Sequence, residues 1–204
     1  MGEMHYNKVI MISTVIAFAV MAPAMDTKPF VCAVMGEPMA DVSTKGYHDY
    51  NGARYWFCCG GCDATFKKEP LKYLEAQAKK GNVTGDFMFD PVTGVRLSSP
   101  GIIAATSDYK GIRFHFSSAA NKAAFDKEPA IYGTMPKKDA LYCAVAGEVI
   151  ENYASAASYV DFKGVRYYTC CAGCVAKMKA DPAKYAGTAK DYIKTPGVAT
   201  QPKG

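Results

Sequence analysis

Long apolar runs are what this chain of 204 residues has least of. The longest, from Val9 to Val20, is too short to span a bilayer core comfortably, which takes about 20 residues. Histidine is scarce, with 3 residues, and tryptophan occurs once. There is no Ser-His-Asp arrangement, no phosphate-cradling glycine loop and no paired-carboxylate constellation, so the chain reads as a non-enzyme rather than a hydrolase or transferase. Charge of one sign is not concentrated either. The formal net charge is +5 and the lysines are scattered, which describes a solvated surface and not a nucleic-acid-binding stripe. No low-complexity block interrupts a composition that is half apolar and about a fifth charged, that of a globular protein.

The short apolar run has a use of its own. Lys8 precedes it and Ala22-Pro23-Ala24 follows it, the small-x-small pattern of a signal-peptidase site. Residues 1–24 therefore read as a signal peptide cleaved after Ala24, which places the mature chain in the periplasm or outside the cell and leaves no stable membrane insertion. Glu3 offsets Lys8, so the alternative is an uncleaved segment that anchors the protein to the membrane. No cysteine lies near the cleavage point, which argues against a lipoprotein.

What the chain does have is cysteine, 8 residues in two clusters. Residues 55–62 read Tyr-Trp-Phe-Cys-Cys-Gly-Gly-Cys and residues 167–174 read Tyr-Tyr-Thr-Cys-Cys-Ala-Gly-Cys. Each has one more cysteine upstream, Cys32 or Cys143, inside a Cys-Ala-Val-x-Gly-Glu knuckle. Thiols grouped in this way suit a soft metal ion.

Comparison of the chain with itself gives a threefold layout. The knuckles Cys32-Ala-Val-Met-Gly36, Asp90-Pro-Val-Thr-Gly94 and Cys143-Ala-Val-Ala-Gly147 each precede a hairpin signal with a turn glycine, at Gly52, Gly111 and Gly164. Aromatic residues follow, then the cluster, then a helical pattern ending at Glu69-Pro70, Glu128-Pro129 or Asp181-Pro182, where proline suits the first turn of a second helix. Tyr73, Tyr132 and Tyr185 are expected to pack back on their own units. The units are placed at 28–80, 85–134 and 139–187, with linkers at 79–84 and 134–139 and a flexible tail at 188–204. The middle unit carries Asp90, Ser117, Ser118 and Asn121 where the others carry cysteine. It reads as a structural spacer; the alternative is an oxygen site for a hard ion built from Asp90, Ser117 and Asn121.

The knuckle, the turn glycine, the Phe-Cys-Cys-x-x-Cys cluster and the Pro-x-x-Tyr ending together resemble the YHS and TRASH family of small metal-binding modules. The resemblance covers nearly all of residues 30–186 as three tandem copies. It implies an α+β fold of three small treble-clef-like modules, each of knuckle, β-hairpin and short helices, and a role in heavy-metal trafficking, resistance or sensing. It also implies a metal transporter or other metal-handling protein as partner. The family's second knuckle cysteine is replaced here by Met35 and by Ala146. The matching thiols are thus Cys32, Cys58 and Cys62 in one unit and Cys143, Cys170 and Cys174 in the other, with Cys59 and Cys171 as additional ligand candidates.

A cluster at a helix start can converge, because residues three or four apart share a face and the helix N-terminus favours thiolate. Three or four thiolates suit Zn²⁺; three, with or without the Met35 thioether, suit Cu⁺. Met35 reads equally well as core filler. His48 and His115 read as structural or solvated, and His5 leaves with the signal. Two other functions compete. Export favours a disulfide-stapled structural or interaction module, although the adjacent pairs Cys58-Cys59 and Cys170-Cys171 bridge to each other only with strain. Cys59-Gly-Gly-Cys62 and Cys171-Ala-Gly-Cys174 also have the form of an oxidoreductase Cys-x-x-Cys, but no βαβ pattern surrounds them.

Overall fold

In the computed structural model the described residues are 28–98 and 100–199. The segment at 1–24 read from sequence as a signal peptide and the end of the tail at 200–204 lie outside them. The fold is α+β. The first stretch opens with β1 (Phe30–Val31) and β2 (Pro38–Met39), paired antiparallel around the knuckle. A hairpin of β3 (Gly46–Tyr50) and β4 (Ala53–Phe57) follows, then α1 (Gly60–Lys68) and α2 (Pro70–Lys79). The second stretch has β5 (Gly85–Phe87), a hairpin of β6 (Ala105–Tyr109) and β7 (Ile112–Phe116), and helices α3 (Ala119–Lys127) and α4 (Pro129–Tyr132). The third has β8 (Lys138–Ala140), the knuckle pair β9 (Tyr142–Cys143) and β10 (Glu148–Val149), a hairpin of β11 (Ser158–Phe162) and β12 (Val165–Thr169), and helices α5 (Ala172–Ala180) and α6 (Pro182–Thr188). A final short strand, β13 (Val198–Ala199), pairs with β3.

Local sequence explains these elements. Asn51-Gly52, Lys110-Gly111 and Lys163-Gly164 each take positive φ at both positions, the type I′ turn whose twist matches a two-residue hairpin. Two positions before each turn pair on the first strand, and two beyond it on the second, an aspartate faces an arginine. Arg54 Nε and Nη2 bind the Asp49 carboxylate at 2.8 and 3.0 Å. Arg113 holds Asp108 and Arg166 holds Asp161 in the same way. Each first helix ends before a Glu-Pro or Asp-Pro step, since a residue before proline is driven out of helical geometry and proline needs no donor at a helix start. The helical residue four positions past the cluster (Phe66, Phe125 or Met178) is buried beneath its own hairpin. Tyr73 and Tyr132 pack against one core cluster and Tyr185 against a second.

The three stretches are not separate beads. β5 runs antiparallel to β4 and parallel to β7, so the first two stretches share one six-stranded sheet in the order β13-β3-β4-β5-β7-β6. The third stretch forms a sheet of order β11-β12-β8. It is locked to the second through the knuckle there: Val95 bridges Ser158, the Arg96 N–H donates to the Ala157 carbonyl at 2.9 Å, and the Tyr159 N–H donates to the Gly94 carbonyl at 2.9 Å. One buried cluster draws on all three stretches, with Tyr55 and Phe66 from the first, Phe87 and Phe114 from the second, and Tyr159 and Tyr168 from the third. Burial of each such ring contributes about 1.5–3 kcal/mol.

Two expectations are revised. The linkers are built into the fold: Val83 and Thr84 are buried, and Lys138 and Asp139 lie in β8. The tail, read as flexible from 188, is tied down through residue 199. Tyr192 stacks on Tyr142 with ring centroids 3.8 Å apart, Lys194 and Asp139 exchange backbone hydrogen bonds of 2.9 Å, and β13 extends the sheet. Its Lys, Thr, Pro and Gly content conceals these aromatic and backbone contacts. No helix among the described residues is long and apolar enough to cross a membrane.

Candidate metal centres

Each cysteine cluster is assembled from a knuckle and a helix start. Cys32 is held by the turn between β1 and β2. Its N–H donates to the Glu37 carbonyl at 2.8 Å, its carbonyl accepts from Gly36 at 2.8 Å, and its sulfur accepts the Met35 N–H at 3.5 Å. Cys58 leaves the end of β4, and Cys62 lies in the first turn of α1. The sulfurs of Cys32, Cys58 and Cys62 lie within 4.8 Å of one another, and so do those of Cys143, Cys170 and Cys174. Cys58 Sγ and Cys62 Sγ are 3.9 Å apart, Cys170 Sγ and Cys174 Sγ 3.8 Å. A tetrahedral ion with sulfur bonds of about 2.3 Å needs edges of about 3.8 Å, so these spacings fit a common ion. Cys32, Cys62, Cys143 and Cys174 are buried, and Cys58 and Cys170 are partly exposed. All eight cysteines are free thiols.

Cys59 and Cys171 are placed differently. They are exposed, stand at the N-cap positions of α1 and α5, lie 3.2 and 3.1 Å from the last cysteine of each triad, and also interact with the neighbouring Cys58 or Cys170 thiol. Neither sulfur belongs to the sets that lie within 4.8 Å of one another. Met35 contributes its backbone amide to Cys32 while its side chain is 67% exposed.

Protonation within a triad is shared unevenly. Burial pushes the Cys32 thiol up, but the amides of Met35, Cys58 and Val34 outweigh it and hold the thiol below its ordinary value. Cys143 is lowered by the same balance. Burial, followed by hydrogen bonding to the knuckle thiol, raises Cys58 and pushes Cys170 up to about 11. Cys62 and Cys174 are raised further, by burial and then by the neighbouring Cys59 or Cys171 thiol. Cys59 and Cys171 are lowered, first by those same contacts. A cation bound by such thiols would displace the protons they hold.

In the middle stretch a hydrogen-bonded cluster stands where the other two carry thiols. Asp90 is fully buried in the knuckle, and its carboxylate accepts from the Ser117 N–H at 2.9 Å, the Ser117 hydroxyl at 2.7 Å and the Asn121 amide at 2.7 Å. Its other oxygen accepts from the Val92 N–H at 3.0 Å and the Thr93 N–H at 3.3 Å. Burial raises its pKa, but the Ser117, Asn121 and Val92 donors outweigh it and hold the carboxyl below the usual range. Its lone pairs are taken by protein donors, so the three residues proposed from sequence as an oxygen site form a hydrogen-bonded clasp. Ser118, the counterpart of Cys59, caps α3 through its hydroxyl, at 3.1 Å from the Asn121 N–H.

Two features escaped the sequence. The Asp–Arg pairs carry a recurring signal, Asp-x4-Arg around each turn glycine. His48 is buried and faces Asp63 at 3.3 Å beside the first cluster; fifteen residues separate them with no local pattern. His115 pairs with Asp86. No protein-family model, curated protein or solved structure matches the chain.

Proposed function

We propose that this protein is an exported heavy-metal-binding protein, a metallochaperone, buffer or resistance factor, that holds soft ions in its first and third stretches. The observation that carries this reading is the pair of sulfur triads, each assembled within 4.8 Å from a knuckle and a helix start. Two triads of one design in one chain favour cargo binding over chemistry, and the protein is read as a non-enzyme. The donor set selects Zn²⁺ or Cu⁺. Its three stretches are taken as YHS/TRASH-like units of treble-clef type, on the knuckle, cluster and Pro-x-x-Tyr residues that carry the resemblance. The sequence of residues 1–24 supports secretion to the periplasm or beyond, with a metal transporter or similar protein as partner.

Titration of Co²⁺ into the reduced protein tests this. Sulfur-to-metal charge-transfer absorption saturating at two equivalents, and displaced by Zn²⁺, is expected. Absence of that absorption would leave the thiols to a disulfide or redox role.

A further inference from the structure

Each triad has a fourth thiol at its edge, and the arrangement is the same in both. Cys59 Sγ lies 3.2 Å from Cys62 Sγ, and Cys171 Sγ lies 3.1 Å from Cys174 Sγ. Within the triads the separations Cys58–Cys62 and Cys170–Cys174 are longer, 3.9 and 3.8 Å. The outer thiol of each close pair is exposed and the inner one is buried. Only small residues stand between them, Gly60-Gly61 and Ala172-Gly173. A Cβ at Gly60 or Gly61 would meet open space, and one at Gly173 would meet first the Cys171 sulfur itself, at 3.9 Å. A small reagent therefore reaches the outer sulfur unobstructed. The middle stretch carries Ser118 and Asn121 at these two positions and has no oxidisable pair.

We propose that each close pair is a site of oxidation by a hydroperoxide, at which a disulfide between Cys59 and Cys62, or between Cys171 and Cys174, takes one sulfur from the triad and releases a bound Zn²⁺ ion. This rests on the metal-binding reading above. The exposed Cys59 sulfur attacks the peroxide, so that an S–O bond forms, the O–O bond breaks and hydroxide leaves. Cys62 then attacks the resulting sulfenic acid. The S–S bond forms, the S–O bond breaks and a second hydroxide leaves. Both hydroxides become water with protons from the thiols or the solvent, and two electrons pass from the sulfurs to the peroxide oxygens. In a loaded triad the bond from the ion to Cys62 breaks in the second step. A Zn²⁺ ion, which takes four ligands, is left with two thiolates. Cys58 also adjoins Cys59, but neighbours in sequence bridge only with strain. The Cys62 sulfur has to approach by only about 1 Å to reach disulfide length. Cys171 and Cys174 react in the same way.

The test loads the full chain with Zn²⁺, removes the excess, and adds hydrogen peroxide with a colorimetric zinc indicator. Alkylation and peptide mapping then locate the bridges. Release of both ions is expected, together with the bridges Cys59–Cys62 and Cys171–Cys174. A dithiol reductant with fresh Zn²⁺ is expected to restore the loaded protein. The paired change Cys59→Ser with Cys171→Ser is expected to take up both ions and to keep them over the time in which the unaltered chain loses its own. Serine suits the position, because Ser118 fills it in the middle stretch and caps α3. Release at an unchanged rate from the paired variant, or bridges that join other cysteines, would overturn the proposal while metal binding stood. Loss of Zn²⁺ uptake in the paired variant would overturn it too, by making the two outer thiols ligands. An unaltered chain that takes up no Zn²⁺ would instead defeat the metal-binding reading, and this proposal with it.

Discussion

At the scale of single residues, burial decides which polar groups bind a proton, a neighbour or an ion. Asp90 and Asp139 are both buried, with opposite results. Asp90 is surrounded by donors and stays ionised, the hydrogen-bonded counterpart of the knuckle cysteines Cys32 and Cys143. Asp139 is 4% exposed and receives the Tyr153 hydroxyl at 2.7 Å; its burial outweighs that bond and pushes its carboxyl up to about 6. Between roughly pH 4 and 6 the folded chain therefore holds a proton that the unfolded chain has released. The stability this gives is present below that window and lost as pH rises through it. Asp139→Asn keeps an acceptor for Tyr153 and removes the ionisation. It is expected to stabilise the protein at pH 7.5 by up to about 3 kcal/mol and to have little effect at pH 4, measured by urea unfolding at the two values. Equal destabilisation at both would show that the carboxylate is not strained by burial. The triad cysteines were legible from their duplicated spacing. The placement of Cys59 and Cys171 outside the sets of sulfurs within 4.8 Å of one another was not, because residues three and four apart on a helix start can both converge.

At the scale of elements, the knuckle does two jobs. It presents the buried cysteine of each triad, and in the middle stretch it docks on β11. Gly94 and Gly147 have nearly the same φ, +75° and +76°, but different surroundings. A Cβ at Gly147 would lie 3.7 Å from the Tyr142 hydroxyl, in ordinary contact. At Gly94 it would collide with the backbone carbonyl of Tyr159, which cannot retreat without disturbing the Tyr159–Gly94 hydrogen bond. Gly147→Ala is expected to cost about 1–2 kcal/mol from its left-handed backbone alone. Gly94→Ala is expected to cost clearly more, read from denaturation midpoints at unchanged slope. Similar costs would mean that the docked loop adapts freely. The hairpins and Pro-started helices could be read from the sequence because turn glycines and Glu-Pro or Asp-Pro steps are local signals. Strands β5, β8 and β13 could not. They are two or three residues long, too short for a period, and their pairing is decided by neighbours far away in sequence.

At the scale of the whole molecule, a sheet shared by the first two stretches and a buried cluster common to all three make the two cysteine triads parts of one fold. The middle stretch supplies a clasp that needs no ion, between two stretches whose clasps are thiols. Binding of an ion at either end is thereby linked to the stability of the chain, because the folded triad exists only where knuckle and helix start are held together. Native mass spectrometry of the reduced, Zn²⁺-reconstituted protein tests the central claim most directly, with Cys62→Ser, Cys174→Ser and the paired change Cys59→Ser with Cys171→Ser alongside. Two ions per chain are expected for the unaltered protein, one for each single triad variant and two for the Cys59/Cys171 pair. A chain that carries no ion, or the same number in every variant, would contradict two independent three-thiolate centres.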